Sequence, residues 1–223
     1  MKQTISTAES DCPAAESMLY RHEEYTKPQL VKQPCAHERL RRVALQLFVE
    51  QGFQSVSLRQ LANALGMQAG SLYNHMDSKQ ALLFELIEEH ESDLLDTLRA
   101  EDPSNASGLQ RLRQYIHSHV HFSLANHGRQ VLSRLELRQL TNEQKNAIMV
   151  IRLAQIEHMR GIIKQISSKY VRDEGKLTLV VRSVMTILDD YPEWRLPSRR
   201  LDALVEFLTQ LAVVGITYQK FQK

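Results

Sequence analysis

Residues 57–76 read SLRQLANALGMQAGSLYNHM. Ser57 is a residue type that caps helix N-termini, and Leu58, Leu61, Ala62 and Leu65 recur at the three- and four-residue spacing of one helical face. Gly66 ends that face by permitting a turn that other residues resist. A second short helix is predicted over 68–75. Ala62 is small enough for the two helices to approach, Met67 fills the crevice beneath, and Leu61, Leu65 and Leu72 close a small core. Gln68, Ser71, Asn74 and His75 are left outward. Two short helices crossing steeply through a tight turn make a helix-turn-helix. Polar residues on the second helix suit a DNA major groove, and Gly70 lets backbone approach a phosphate closely.

Outward from this stretch the chain reads as helix throughout. Upstream, Leu40, Val43, Ala44, Leu47 and Phe48 mark a helix from about Ala36, ended by Gly52 in a left-handed cap with Phe53 as its hydrophobic contact. Downstream, Asp77 and Ser78 cap a longer helix, Gln80 completes a capping box with Asp77, and Leu83, Ile87, Leu94 and Leu98 form its apolar stripe. EDPSNASG (101–108) breaks the pattern. Amphipathic segments follow over roughly 109–126 and 129–139. Thr141 and Gln144 box the start of a long helix to about Lys169, and a further helix covers 177–190. YPEWRLP (191–197) is a turn, and Ser198 caps a last helix to about Lys220. No alternating strand pattern persists. The expected fold class is all-α: a flexible leader over 1–34, a three-helix helix-turn-helix domain over 35–82, and a helical bundle over 83–223 for ligand binding and dimerisation.

Composition agrees. Apolar residues make up 43% of the chain and aromatics only 6%, so a core is available without strand-forming runs. The net charge of +2 is mild, but its distribution is not: residues 1–26 carry −3, whereas 27–79 carry +4. A short basic block is the electrostatic footprint of phosphate binding. Two cysteines, Cys12 and Cys35, give no metal spacing and no disulfide framework. No apolar run is long enough to span a membrane, and no secretory leader is visible, so a cytoplasmic protein without a membrane partner is expected.

Ser57, Arg59, Leu61, Ala62, Gly66, Met67, Gly70, Ser71, Leu72, Tyr73, His75, Lys79 and Leu82 stand at the fixed spacings of the TetR family of bacterial transcriptional regulators, which this chain resembles over about 37–84. Gln68 stands where a small hydroxyl residue is usual, and Met76 where Phe is usual. The resemblance implies a ligand-responsive regulator, in most such cases a repressor, bound as a homodimer to a palindromic double-stranded DNA operator. It implies phosphate contacts from Ser57, Tyr73 and Lys79, with Arg59 and Gly70 in the same surface. Gln68, Ala69, Ser71 and Asn74 would lie against base edges, and His75 at the groove rim. Arg39, Arg41 and Arg42 are further candidates for the DNA backbone or minor groove.

The pieces 136–140 and 191–201 are similar to the subgroup that responds to acyl-CoA or related CoA thioesters, although Leu196-Pro197-Ser198 replaces that subgroup's Gly-rich turn. On that resemblance Arg134, Arg138, Arg152 and Arg195 would meet the phosphates and Trp194 would line the channel. A non-CoA hydrophobic effector is the alternative. In the same family the last two helices of each chain form the dimer interface, here Val180, Val184 and Leu188 with Leu204, Leu208 and Leu211.

His117 and His121 share a helical face at metal-ligand spacing, but no third ligand accompanies them, so no metal and no cofactor is expected. A helical-bundle enzyme is the competing class. Its di-metal form needs Glu-x-x-His pairs, and the chain contains none; P-loop, Gly-x-Ser-x-Gly and His-Glu-x-x-His motifs are missing too.

Overall fold

A computed structural model describes residues 35–166, 174–194 and 200–217. The expected leader (1–34), Arg195 and both far helix ends near 169 and 220 lie outside them. α1 (Ala36–Gln51) opens with a capping box in which the Cys35 sulfur accepts from the Glu38 amide and the Glu38 carboxylate accepts from the Cys35 amide. Leu40, Ala44 and Phe48 form its buried face. It stops at Gly52, whose φ of 81° and ψ of 144° are open to glycine alone. The expected left-handed cap is thus corrected: φ is positive, but the chain leaves extended, which sets Phe53 edge-on to Phe48 with ring centres 5.2 Å apart.

α2 (Leu58–Leu65) is capped by Ser57, boxed with Gln60, and ends at Gly66 in the left-handed region (φ 70°, ψ 30°). The second arm of the helix-turn-helix is a 3-10 segment, Ala69–Asn74, where an α-helix over 68–75 was expected. Its bonds run from Ser71 N to Gln68 O and from His75 N to Leu72 O. Six residues containing Gly70 are too few to repay α-helix nucleation, and the tighter helix still buries Leu72.

α3 (Lys79–Ala100) is capped by Ser78, which accepts from the Ala81 amide. The expected Asp77–Gln80 box does not form, because the Gln80 amide reaches Gln139 O (2.8 Å) and Gln144 Oε1 (3.1 Å) instead. α4 (Gly108–Ala125), α5 (His127–Glu136) with a 3-10 turn Leu137–Gln139, α6 (Asn142–Ile166), α7 (Glu174–Asp190) with a 3-10 turn Tyr191–Trp194, and α8 (Leu201–Thr217) complete the described elements. The Thr141–Gln144 box forms as expected.

Two apolar cores share α3. The first joins α1, α2 and the first half of α3 to Leu132, Leu140 and Ile148 of the bundle. The second joins Leu94 and Leu98 to α4, α6, α7 and α8. The division expected after residue 82 lies inside α3, one continuous helix about 33 Å long at 1.5 Å per residue.

The expected dimer residues need correction. Val184, Leu188, Leu204 and Leu208 are buried in the chain's own second core, and Val180 packs against Gly215. Leu211 alone of that set is exposed. Both helices are apolar on more than one face, and a helical wheel does not say which face meets its own chain. The outward faces carry Leu179, Phe207, Leu211 and Val214.

Candidate nucleic-acid interface and effector groove

The turn at Gly66 and the burial of Leu72 decide what the helix-turn-helix presents. With Leu72 fully buried and Met76 nearly so, Gln68, Ala69, Gly70, Ser71, Tyr73 and Asn74 are turned outward and His75 is half-buried. Tyr73 is 59% exposed, so its ring does not serve the core. Arg59 is exposed on α2. Ser57 is exposed too, but its hydroxyl is already engaged: it donates to Gln60 Oε1 and accepts from the Gln60 amide. Beside this face lies a cavity of about 350 Å³ lined by His37, Tyr73, Asn74, His75, Asp77 and Glu85 among others.

Lys79 is placed differently from a free phosphate contact. Its ammonium donates to Phe53 O and Val56 O, both at 2.7 Å, and sits 4.1 Å from the centre of the Phe53 ring. Burial lowers its pKa, and the nearby Glu136 carboxylate opposes that shift. Arg41 is likewise engaged, with Glu85 and Glu89 of α3. Arg39 and Arg42 are exposed.

The four expected effector residues that are described separate into three places. Arg152 is drawn inward: it donates to Glu91 Oε1 at 2.7 and 3.0 Å and to the Ser133 hydroxyl at 2.8 Å. Its charge is matched by a carboxylate that is only 4% exposed, and Gln155 bonds the same carboxylate. Burial pushes Glu91 up, but Arg152 and Ser133 outweigh it and hold the group below the ordinary carboxylate range. Trp194 and Arg134 come together around Asp190, which accepts from the Trp194 indole (3.3 Å) and from Arg134 (2.5 Å). With Thr186, Ile187 and Asp189 they line a groove of about 330 Å³. Arg138 lies away from it, in a second groove between α5 and α6.

Behind the Trp194 groove lies a polar interior that sequence reasoning missed. His90 Nε2 bonds Gln130 Oε1 at 2.8 Å, and the Ser123 hydroxyl bonds His119 Nδ1 at 3.3 Å. His119 is fully buried, which pushes its pKa down to about 4, and its Nε2 lies 3.8 Å from Asp189 Oδ1. Asp189, open at its rim but desolvated on the inner side, is pushed up to about 6. Glu91 was detectable: it sits four residues after Ile87 and three before Leu94, in register with the core stripe. His117 and His121 stack with ring centres 4.2 Å apart, and among the described residues no group of three or more His, Cys, Asp or Glu could hold a metal.

The two ends are joined through α5. Glu136 Oε1 accepts from the Phe53 amide (3.1 Å), and Gln54 and Gln80 donate to the side chain and the carbonyl of Gln139. The residues after α1 and at the start of α3 are thereby tied to the end of α5.

Residues 40–86 match the family model for bacterial regulatory proteins of the tetR family. The chain is 22% identical over 177 residues to the fatty acid metabolism regulator protein of Bacillus subtilis, spanning 78% of this chain and 91% of that protein. It is 26% identical over 179 residues to the transcriptional repressor KstR2 of Mycobacterium tuberculosis, spanning 78% and 90%. A TetR-family regulator structure from Bordetella parapertussis superposes with a TM-score of 0.75 at 20% identity, covering 84% of this chain and all of that one. No helix among the described residues is long and apolar enough to cross a membrane. Residues 40–86 thus match the tetR-family DNA-binding model, and the chain as a whole has the fold of TetR-family regulator structures.

Proposed function

We propose that the protein is a homodimeric, effector-released repressor that binds a palindromic operator. The observation that carries the DNA-binding half is the outward face of Gln68, Ser71, Tyr73 and Asn74 around a fully buried Leu72. A turn that buries one leucine and exposes a large aromatic beside hydroxyl and amide groups is built to meet a polar surface. Arg59 and Tyr73 hold the phosphates, Ala69 offers a methyl contact, and Gln68, Ser71 and Asn74 meet base edges. One such element reads few base pairs, so two copies at a spacing of about 34–36 Å are needed to read successive major grooves.

The effector enters the groove at Trp194 and Arg134. Its chemistry is a CoA thioester or related hydrophobic acid. Supporting this are the likeness to a fatty acid metabolism regulator and to the KstR2 repressor, and the pairing of an exposed indole with an arginine. Arg152 is withdrawn from the effector set because its partner Glu91 is buried and holds it inward, away from the groove, whereas Arg134, although paired with Asp190, lines the groove itself. Ligand acts by binding one dimer geometry more tightly than another. The ties from α5 to Phe53, Gln54 and Gln80 carry the difference to the DNA-binding face.

The test uses duplexes selected from random sequence. Arg59→Ala should weaken binding to every duplex and lower the salt slope by about 1, whereas Gln68→Ala and Asn74→Ala should alter which duplexes are preferred. Unchanged affinity in Tyr73→Ala and Arg59→Ala together would remove this face as the DNA-binding surface. Native mass spectrometry with acyl-CoA thioesters tests the other half: a dimer gaining one thioester per chain supports it, and a dimer gaining none removes the CoA assignment.

A further inference from the structure

The polar interior behind the Trp194 groove ends on one unmade contact. His119 of α4 is fully buried, and its Nε2 has no hydrogen-bond partner among the described residues. It faces Asp189 Oδ1 of α7 across 3.8 Å, which is too far for a hydrogen bond. The surrounding bonds set the protons. Gln130 Nε2 donates to the Asp189 carbonyl (3.3 Å), so its Oε1 is turned to His90 Nε2, which must donate. The Ser123 hydroxyl lies between that same Oε1 (3.5 Å) and His119 Nδ1 (3.3 Å). By donating to the amide oxygen and accepting from His119 Nδ1–H, it leaves Nε2 a bare lone pair. An acceptor facing a carboxylate accounts for the open gap.

The charges around the pair leave it short of one proton. Glu91 and His90 face it from α3, and Arg152, held by Glu91, faces it from α6. Arg134 of α5 faces Asp189 while paired with Asp190. Tyr115, on the same helix as His119, is near Asp189 but donates its proton to Gln155 O. Asp202 and Glu206 of α8 face His117 and Arg113, on a different side of α4. Burial and Glu91 push Asp189 up to about 6 against the pull of Arg152 and Arg134, whereas burial keeps His119 from taking a proton until about 4. A proton from water therefore goes to the carboxylate first, and the half-exposed outer side of Asp189 can collect it.

We infer that Asp189 and His119 together form a binding site for one proton. In the loaded form Asp189 Oδ1–H donates to His119 Nε2. That bond closes the gap and draws the C-terminal end of α7 toward α4. It also removes one negative charge from the Trp194 groove, which Asp189 lines. The groove is left with Asp190 and Arg134 as a balanced pair, and it admits an anion more readily than at neutral pH. Which anion it admits rests on the effector proposed for that groove; the proton site itself does not.

The test therefore uses the full-length protein without effector. Imidazole nitrogen resonances of isotope-labelled protein, with His119 assigned through His119→Gln, are followed between about pH 7.5 and 5. His119 Nε2 should shift in one step centred near 6, towards a hydrogen-bonded acceptor, while its ring stays neutral. Asp189→Asn should abolish the step, because the amide is neutral and can donate at every pH. Trp194, the single tryptophan, reads the groove through quenching by iodide relative to neutral acrylamide. In wild type that ratio should rise about twofold across the step, whereas in Asp189→Asn it should start high and change far less. A His119 signal unmoved through this range, a ring that becomes an imidazolium in the same step, or a step that survives Asp189→Asn would overturn the proton site. Iodide quenching with the same pH dependence in wild type and Asp189→Asn would overturn its effect on the groove.

Discussion

At the scale of single residues, the structure turns on charges that are used internally. Lys79 illustrates this. Family resemblance points its ammonium at DNA, whereas here it closes the link between α1 and α2 by donating to Phe53 O and Val56 O. Lys79→Gln should therefore lower stability by about 2 kcal/mol, since two charge-assisted bonds to carbonyls are lost or weakened. Chemical denaturation measures this. An unchanged midpoint with a reduced salt slope for DNA would assign Lys79 to phosphate and defeat the structural role. His119 gives a second prediction, in pH. Burial holds its folded pKa at about 4, below the ordinary 6.5, so the folded state resists the proton. Its contribution is present above pH 6.5 and is lost as pH falls towards 4, by at most about 3 kcal/mol. Asp189, raised to about 6, works in the opposite direction: it favours the folded state at low pH and loses that contribution as pH rises through 6. The informative quantity is thus the difference between wild type and His119→Gln. The variant should lose less stability between pH 6.5 and 4.5, and parallel curves would show that His119 titrates normally.

At the scale of elements, helix propensity and packing make opposed demands that two glycines separate. Gly161 lies inside α6 with nothing within 4 Å of where a Cβ would stand, so Gly161→Ala should stabilise by about 0.5–1 kcal/mol through helix propensity alone. Gly108 opens α4 directly against α6. A Cβ there would meet Ile166 Cγ1 at 2.9 Å and the Ile166 backbone nitrogen at 3.0 Å. Gly108→Ala should destabilise despite the better propensity, because backbone does not yield as a side-chain tip does. Thermal unfolding of the pair should move in opposite directions, and equal shifts would mean that the α4–α6 contact is looser than described. The same contrast explains what was legible in the sequence. Caps and breaks are local chemistry, so Ser57, Gly66, Ser78 and the Thr141–Gln144 box could be read directly. The outward set from Gln68 to Asn74 was legible for the same reason. Gln80 was misread because its partners, Gln139 and Gln144, arrive from a distant helix. The 3-10 form of Ala69–Asn74 escaped because propensity does not separate it from a short α-helix. Arg152 looked available because nothing local announces a Glu91 sixty-one residues away.

At the scale of the whole molecule, the outward surface of α7 and α8 bears on the homodimer proposed above. Leu179 is 69% exposed, Phe207 58% and Val214 59%, with Leu211 beside them, while the opposite faces of both helices are buried in the chain's own core. Those outward residues are apolar surface with no partner within the described chain. Phe207 carries the largest side chain among them, and an aromatic anchor of this kind contributes heavily at an interface. Phe207→Glu should therefore convert the proposed homodimer to a monomer over the micromolar range. It should leave the fold intact, because the side chain is exposed in the single chain. Analytical ultracentrifugation reads the first effect and circular dichroism the second. The consequence for DNA separates this interface from a merely adhesive surface. A monomer with an unaltered Tyr73 face should keep weak, salt-sensitive binding to any duplex and lose most of its preference for a two-half-site duplex, since the second recognition element no longer comes pre-positioned. If Phe207→Glu remains dimeric, the contact lies elsewhere and these outward faces must be explained by another partner. If it becomes monomeric yet keeps full operator affinity, palindromic reading by a paired molecule fails even though the dimer is real.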